Sequence, residues 1–158
     1  MAIDSVELRR VMGHFATGLT VVTTVSAHGE ASGLTANAVA SVSLNPPLVL
    51  VCVDKTAESH PHFSQSKVFT INILGEQQES VSRRFAGKGP DKFAGVGYRP
   101  GANQAPILEG VIAYMECTLV TTYEGGDHTI YVGEVQEAST QEGRPLLFFR
   151  GGYHQLDS

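Results

Sequence analysis

Four groups of side chains in this 158-residue sequence are of types and spacings that can do chemistry. The first is Thr35-Ala36-Asn37, followed by Ser41, Val42 and Ser43, between apolar runs at 31–34 and 48–53. Hydroxyl, methyl and amide groups stand there where a bulky core would normally continue, which leaves backbone N–H groups free to face a ligand. A flat aromatic molecule suits such a cradle. The second group, Lys55-Thr56-Ala57-Glu58-Ser59, offers an ammonium, two hydroxyls and a predicted helix N-terminus, a combination that suits a phosphate. Capping of that helix by Thr56 or Ser59 is the structural alternative. The third is Arg84-Phe85 at a predicted helix end, where a cation is also favoured by the helix dipole. The fourth is Gly126-Asp127-His128 at a hairpin mouth, where the histidine meets either a ligand or solvent.

Other constellations are weaker. His60-Pro61-His62 lacks further metal ligands at a recognisable spacing, so no metal site is expected. Cys52 sits in an apolar run that keeps a thiol protonated and inert. Ser59-His60 lacks the glycine frame of a hydrolase elbow. Gly95-Val96-Gly97 has no strand before it and no helix after it, so it is not a dinucleotide fingerprint.

These groups need a scaffold, and the pattern predicts one. Asp4 or Ser5 caps a first helix, with Val6, Leu8, Val11, Met12 and Phe15 at helical spacing, predicted to cover part of a barrel. The β-branched run 19–25 reads as a strand that turns at His28-Gly29 and pairs back through residues near Leu34. Strands follow at 48–53 and 68–74, a helix at 76–85, and a long Gly/Pro-rich excursion at 87–110 that reads as functional or mobile surface. A long strand at 111–123 turns at 124–127 and returns through 128–138, and a last strand covers 146–149. Hairpins without regular helical crossovers predict a mainly β fold, an antiparallel closed or split barrel. The length predicts a single domain over 1–158.

The formal net charge of −5 excludes a nucleic-acid footprint, because no cluster of lysine or arginine exceeds two residues. The N-terminus lacks the apolar core of a signal peptide, and no stretch approaches the ~20 apolar residues of a spanning helix. A cytoplasmic protein without membrane contact is expected. Cys52 and Cys117, the only cysteines, are expected to be free.

The run 33–53, followed in order by Ser59, Arg84-Phe85, Gly126-Asp127-His128 and Arg150-Gly151-Gly152-Tyr153, resembles the flavin reductase-like domain family of NAD(P)H:flavin oxidoreductases. The resemblance spans nearly the whole chain. It implies an FMN-binding split β-barrel of Greek-key type with a few flanking helices, and non-covalent binding of FMN or FAD. It places the cofactor against Thr35, Ala36, Asn37, Ser41, Val42, Ser43, Cys52, Val53, Asp54, Lys55, Ser59, Arg84, Phe85, Gly126, Asp127 and Tyr153. His128 takes the catalytic position beside nicotinamide, and Tyr153 either closes over the nicotinamide or anchors the C-terminus.

The activity implied is hydride transfer from a nicotinamide to flavin, with NADH favoured over NADPH because no basic pair is placed for a 2′-phosphate. A homodimer and transfer of reduced flavin to a monooxygenase component acting on an aromatic compound are implied as well. The alternatives are a non-catalytic flavin carrier and, more remotely, a pyridoxine-type oxidase, which calls for more basic residues than Lys55 and Arg84.

Overall fold

The computed structural model describes residues 2–157. Helix α1 (Ser5–Met12) begins at Asp4, whose carboxylate accepts the Glu7 N–H at 2.8 Å. Its apolar side chains do not cover the barrel as the periodicity predicts. No residue of α1 is buried, and Val6, Leu8, Val11 and Met12 are exposed together with nearby Phe15.

After the short β1 (Thr17–Gly18), strand β2 (Thr20–Val25) turns at Gly29 and pairs antiparallel with β3 (Ala31–Ala36). Strands β4 (Val39–Leu44) and β5 (Pro47–Asp54) form a second hairpin. Helix α2 (His60–Ser66), strand β6 (Val68–Ile73) and helix α3 (Glu79–Ala86) follow. Then come the short β7 (Tyr98–Pro100) and β8 (Pro106–Leu108), the long hairpin of β9 (Ala113–Gly125) and β10 (His128–Thr140), and a last hairpin of β11 (Leu146–Phe149) and β12 (Gly152–Gln155).

The main sheet runs β3-β2-β6-β9-β10-β5-β4, every neighbour antiparallel. Its two end strands, β3 and β4, are joined by Asn37-Ala38 alone. Three Cα steps of ~3.8 Å are all the chain has to span from one end of the sheet to the other. The sheet therefore curls until its ends adjoin, and Cys52 N–H donates to the Ala38 carbonyl at 3.0 Å, carrying the β4–β5 ladder into this short connection. This is the expected split barrel.

Inside it, Val22, Val51, Val53, Phe63, Phe69, Ile71, Cys117 and Tyr131 form one fully buried cluster. A second cluster of Leu19, Val21, Leu74, Phe85, Leu108, Val111 and Leu146 packs under α3 and the excursion 87–110. Far from being a mobile surface loop throughout, that excursion ends in a buried plug. Ala105, Ile107 and Leu108 are buried. Asn72, wholly inside, accepts the Leu108 N–H at 3.0 Å and donates to the Val21 carbonyl at 3.0 Å, while Thr23 donates its hydroxyl to the Pro106 carbonyl.

Candidate cofactor site

Alternation along β5 sends Val49, Val51 and Val53 into the core and leaves Leu50, Cys52 and Asp54 half-buried on the opposite face. Against that face lies a largely apolar cavity of about 640 Å³. Asn37, Ala38, Val39 and Ala40 form one wall, Leu50 and Cys52 the floor, and Thr17, Phe148 and Gly151 the far side. Arg9, Met12, Gly13 and Phe15 close it from the α1 end. Its size falls within the roughly 300–1,000 Å³ of small-molecule sites. Asn37 donates its amide N–H to Thr17 Oγ1 at 3.3 Å, which orients the side chain at the cavity wall.

Further along β3 and β5, a smaller cavity of about 230 Å³ is bounded by Leu34, Thr35, Asp54, Thr56 and Glu58, with Phe85, Lys88 and Lys92 opposite. Thr56 donates both its N–H and its hydroxyl to Asp54 Oδ1, at 2.8 and 2.7 Å, and these bonds hold the Asp54 carboxyl below its usual range. Lys92 is the opposite case. Burial pushes its ammonium below the usual lysine range, and among the described residues its hydrogen bonds go only to the carbonyls of Gly33 and Phe85, at 3.4 and 3.3 Å. A desolvated cation facing a cavity suits an anionic group there.

The hairpin mouth of β9 and β10 stands beside this end. Gly126 takes φ +70, His128 lies directly opposite Asp54 in the β10–β5 register, and His128 Nδ1 meets Asp127 Oδ1 at 2.7 Å. The Asp127 carbonyl accepts the Lys55 N–H at 3.0 Å, tying the turn to the end of β5. Residues far apart in sequence are thereby brought to one end of the barrel.

Several expected contacts are not available. The Val53 side chain is fully buried in the core, so only its backbone faces outward. Phe85 is also core, edge-on to Phe93 at 4.9 Å between centroids, and touches only the rim of the smaller cavity. Thr35 spends its hydroxyl on the Ser82 carbonyl at 2.6 Å, and Ala36 is buried against the barrel interior. Ser41, Val42 and Ser43 lie on β4 beyond the walls of both cavities, with Val42 at a register shift.

The cations are redirected too. Lys55 pairs with Glu124 instead of facing a cavity, and Arg84 clamps the following loop through the carbonyls of Lys92 at 2.7 Å and Asp91 at 2.8 Å. Tyr153 acts as an anchor: its hydroxyl meets Ser82 Oγ at 2.9 Å under the guanidinium of Arg83. Ser59 does not cap α2; its hydroxyl is buried without a hydrogen-bond partner. The sequence reading missed Lys88, Lys92 and the α1 wall. The two lysines were visible in the run Gly87-Lys88-Gly89-Pro90-Asp91-Lys92, but only the fold shows that they face β5.

Residues 12–157 match the model of the flavin reductase like domain. The chain belongs to this family. It is 43% identical to a flavin reductase of Pseudomonas putida, over 96% of this chain and 90% of that one. It is 44% identical to an NADH-dependent FAD reductase of Streptomyces globisporus, over 94% of this chain and 84% of that one. Among solved structures, the Streptomyces globisporus NADH:FAD oxidoreductase in complex with NAD and FAD fragments superposes with a TM-score of 0.93 at 42% identity, covering 98% of this chain and 93% of that one. The residues found here fit a flavin: an apolar slot with small side chains along one wall, an amide beside them, and a half-buried cation, Lys92, in the neighbouring smaller cavity.

Proposed function

We propose that this protein is an NADH-dependent flavin reductase that holds FAD or FMN without a covalent link and releases reduced flavin to a separate monooxygenase component acting on an aromatic compound. The observation that carries this is the slot between the barrel ends, where Ala38, Ala40 and Cys52 leave a flat apolar wall open on one face. Flavin and nicotinamide together supply the hydride chemistry.

The chain's own residues bind and orient. Asn37 and the backbone beside it offer hydrogen bonds to a ring edge, and donors aimed at a ring edge stabilise negative charge that develops there. Lys92 and Lys88 neutralise a phosphate, a role expected at Lys55 from the sequence alone. Asp127 holds the ring of His128 by its Nδ1, leaving Nε2 to contact the nicotinamide. Phe148, Met12 and Phe15 line the cavity with apolar surface against which the flat rings can pack.

The reading extends to one domain over 1–158, acting in the cytoplasm, where two free thiols suit reducing conditions. It also extends to a homodimer, because the apolar side chains of α1 have no cover among the described residues and Met12 and Phe15 are already cavity wall. A second copy over α1 would back the slot.

Absorbance at 340 nm with FAD, FMN or riboflavin added in turn tests the activity. Oxidation of NADH that depends on added flavin, and outpaces that of NADPH, is the expected result. Flavin binding without NADH oxidation identifies a carrier instead.

A further inference from the structure

A third cavity, of about 440 Å³, opens beside the main one and shares Arg9, Gly13 and Gly151 with it as a common wall. Its other walls are Val6, Arg10, His14 and Arg150. In a chain of net charge −5, three arginines and a histidine converge here from two distant segments. Arg10 is accounted for, since Glu7 engages its guanidinium at 2.6 and 3.0 Å. Among the described residues, no carboxylate pairs with Arg9 or Arg150.

Cations in the last turn of a helix are favoured by its dipole, which would explain Arg9 alone. It does not explain Arg150. That residue sits at φ +52 in the tight turn between β11 and β12, followed by Gly151 at φ +76, in a hairpin geometry that asparagine and glycine favour and arginine does not. The turn is fixed against α1: the Arg150 N–H donates to the Gly13 carbonyl at 2.7 Å, and a Cβ on Gly13 would meet Arg150 Cα at 3.4 Å. The carbonyl end of the helix is also occupied. Arg9, Arg10, Val11 and Met12 carbonyls accept from Gly13, the His14 ring, His14 and Phe15, which blunts the negative end of the helix toward an incoming anion.

We infer that Arg9 and Arg150 form a clamp for a phosphate of the nicotinamide dinucleotide, at the mouth of the slot opposite Lys88 and Lys92. This rests on the reductase reading. The slot thus has two cationic neighbours: the smaller cavity with Lys88 and Lys92, reached further along β3 and β5, and the cavity with Arg150 that shares Arg9, Gly13 and Gly151 with the slot. That arrangement suits two flat rings with separate anionic tails. With the flavin tail toward Lys92, the mouth by Arg9 and Arg150 is left to the second nucleotide. Guanidinium groups bond phosphate oxygens in pairs, so the clamp provides orientation as well as charge.

Equilibrium binding of NADH to protein loaded with reduced flavin, with oxygen excluded so that no hydride passes, tests this. Arg9→Gln keeps a good helix former, and Arg150→Asn keeps a residue that tolerates the left-handed turn. Each is expected to raise the NADH dissociation constant about tenfold and to reduce its salt dependence, while Arg9→Lys retains much of the affinity. FMN and riboflavin affinities, measured on flavin-free protein, are expected to stay within about twofold, and unchanged melting temperatures establish folding. Equal losses for NADH and NADPH are expected, because the pyrophosphate is common to both.

NADH affinity unchanged in the double variant overturns the proposal. So does a loss confined to FMN that spares riboflavin, since the clamp would then hold the flavin tail. If the wild-type protein binds NADH but reduces no flavin, and the variants lose NADH, the reductase reading fails and the clamp stands. If the wild type reduces flavin and the double variant binds NADH equally well, the clamp alone fails. A wild type that binds no NADH overturns both.

Discussion

The two cysteines sit on opposite faces of the barrel wall and should behave differently. Cys117 is wholly buried, and burial, reinforced by the neighbouring Glu116 carboxylate, pushes its thiol up to about 12. Cys52 is half-buried on the cavity floor, and burial raises its thiol too. With a thiol reagent at pH 8, Cys117 is expected to stay unmodified until the protein unfolds. Cys52 should react slowly, and saturating flavin should slow it by a further factor of about ten. A labelling rate at Cys52 that ignores flavin would place the ring elsewhere. The raised Cys117 value also has a sign: the folded state holds this proton more tightly than the unfolded one. Its stabilisation is complete below the ordinary thiol value of about 8.5 and is lost progressively as pH climbs toward 12.

At the level of elements, the buried plug of Ala105 and β8 depends on Asn72. Asn72→Ala should lower unfolding free energy by about 2–4 kcal/mol, because the Leu108 N–H would be left buried without a partner. Urea denaturation reads this directly, and a loss below about 1 kcal/mol would show that the plug is held by packing alone. The same contact explains what the sequence could and could not reveal. Strands such as Val68–Ile73 and Leu146–Phe149 were legible because β-branched and aromatic residues run together between turn residues. The plug was not, because its burial is decided by Asn72 and Thr23, polar residues in the middle of strands remote in the chain. Asn37 and Cys52, candidates by residue type and place in the chain, both line the larger cavity. The inward turn of Val53 and Phe85 was not legible, because the pleat and the helix register decide it. Nor was the place of Lys92, which is set by the Arg84 clamp on the loop.

For the whole molecule, the uncovered face of α1 sets the expectation. Light scattering should give twice the chain mass, and Leu8→Glu with Val11→Glu should shift it to the single-chain mass by placing charge in an apolar contact. Flavin affinity should fall in the same variant, since Met12 and Phe15 would lose their backing. A single-chain mass for the unaltered protein would remove the second copy from the site. The strand order has a kinetic meaning as well. Three of its pairings, β2 with β3, β4 with β5 and β9 with β10, join neighbours along the chain and close short loops. The pairing of β5 with β10 joins segments separated by about half the chain, and loop-closure entropy makes such contacts slow to form. That slow pairing brings His128 opposite Asp54. Hairpins can therefore gather early in refolding while the end of the barrel that joins His128 to Asp54 has yet to exist, and any chain caught before that step carries most of its strands and an unfinished cavity.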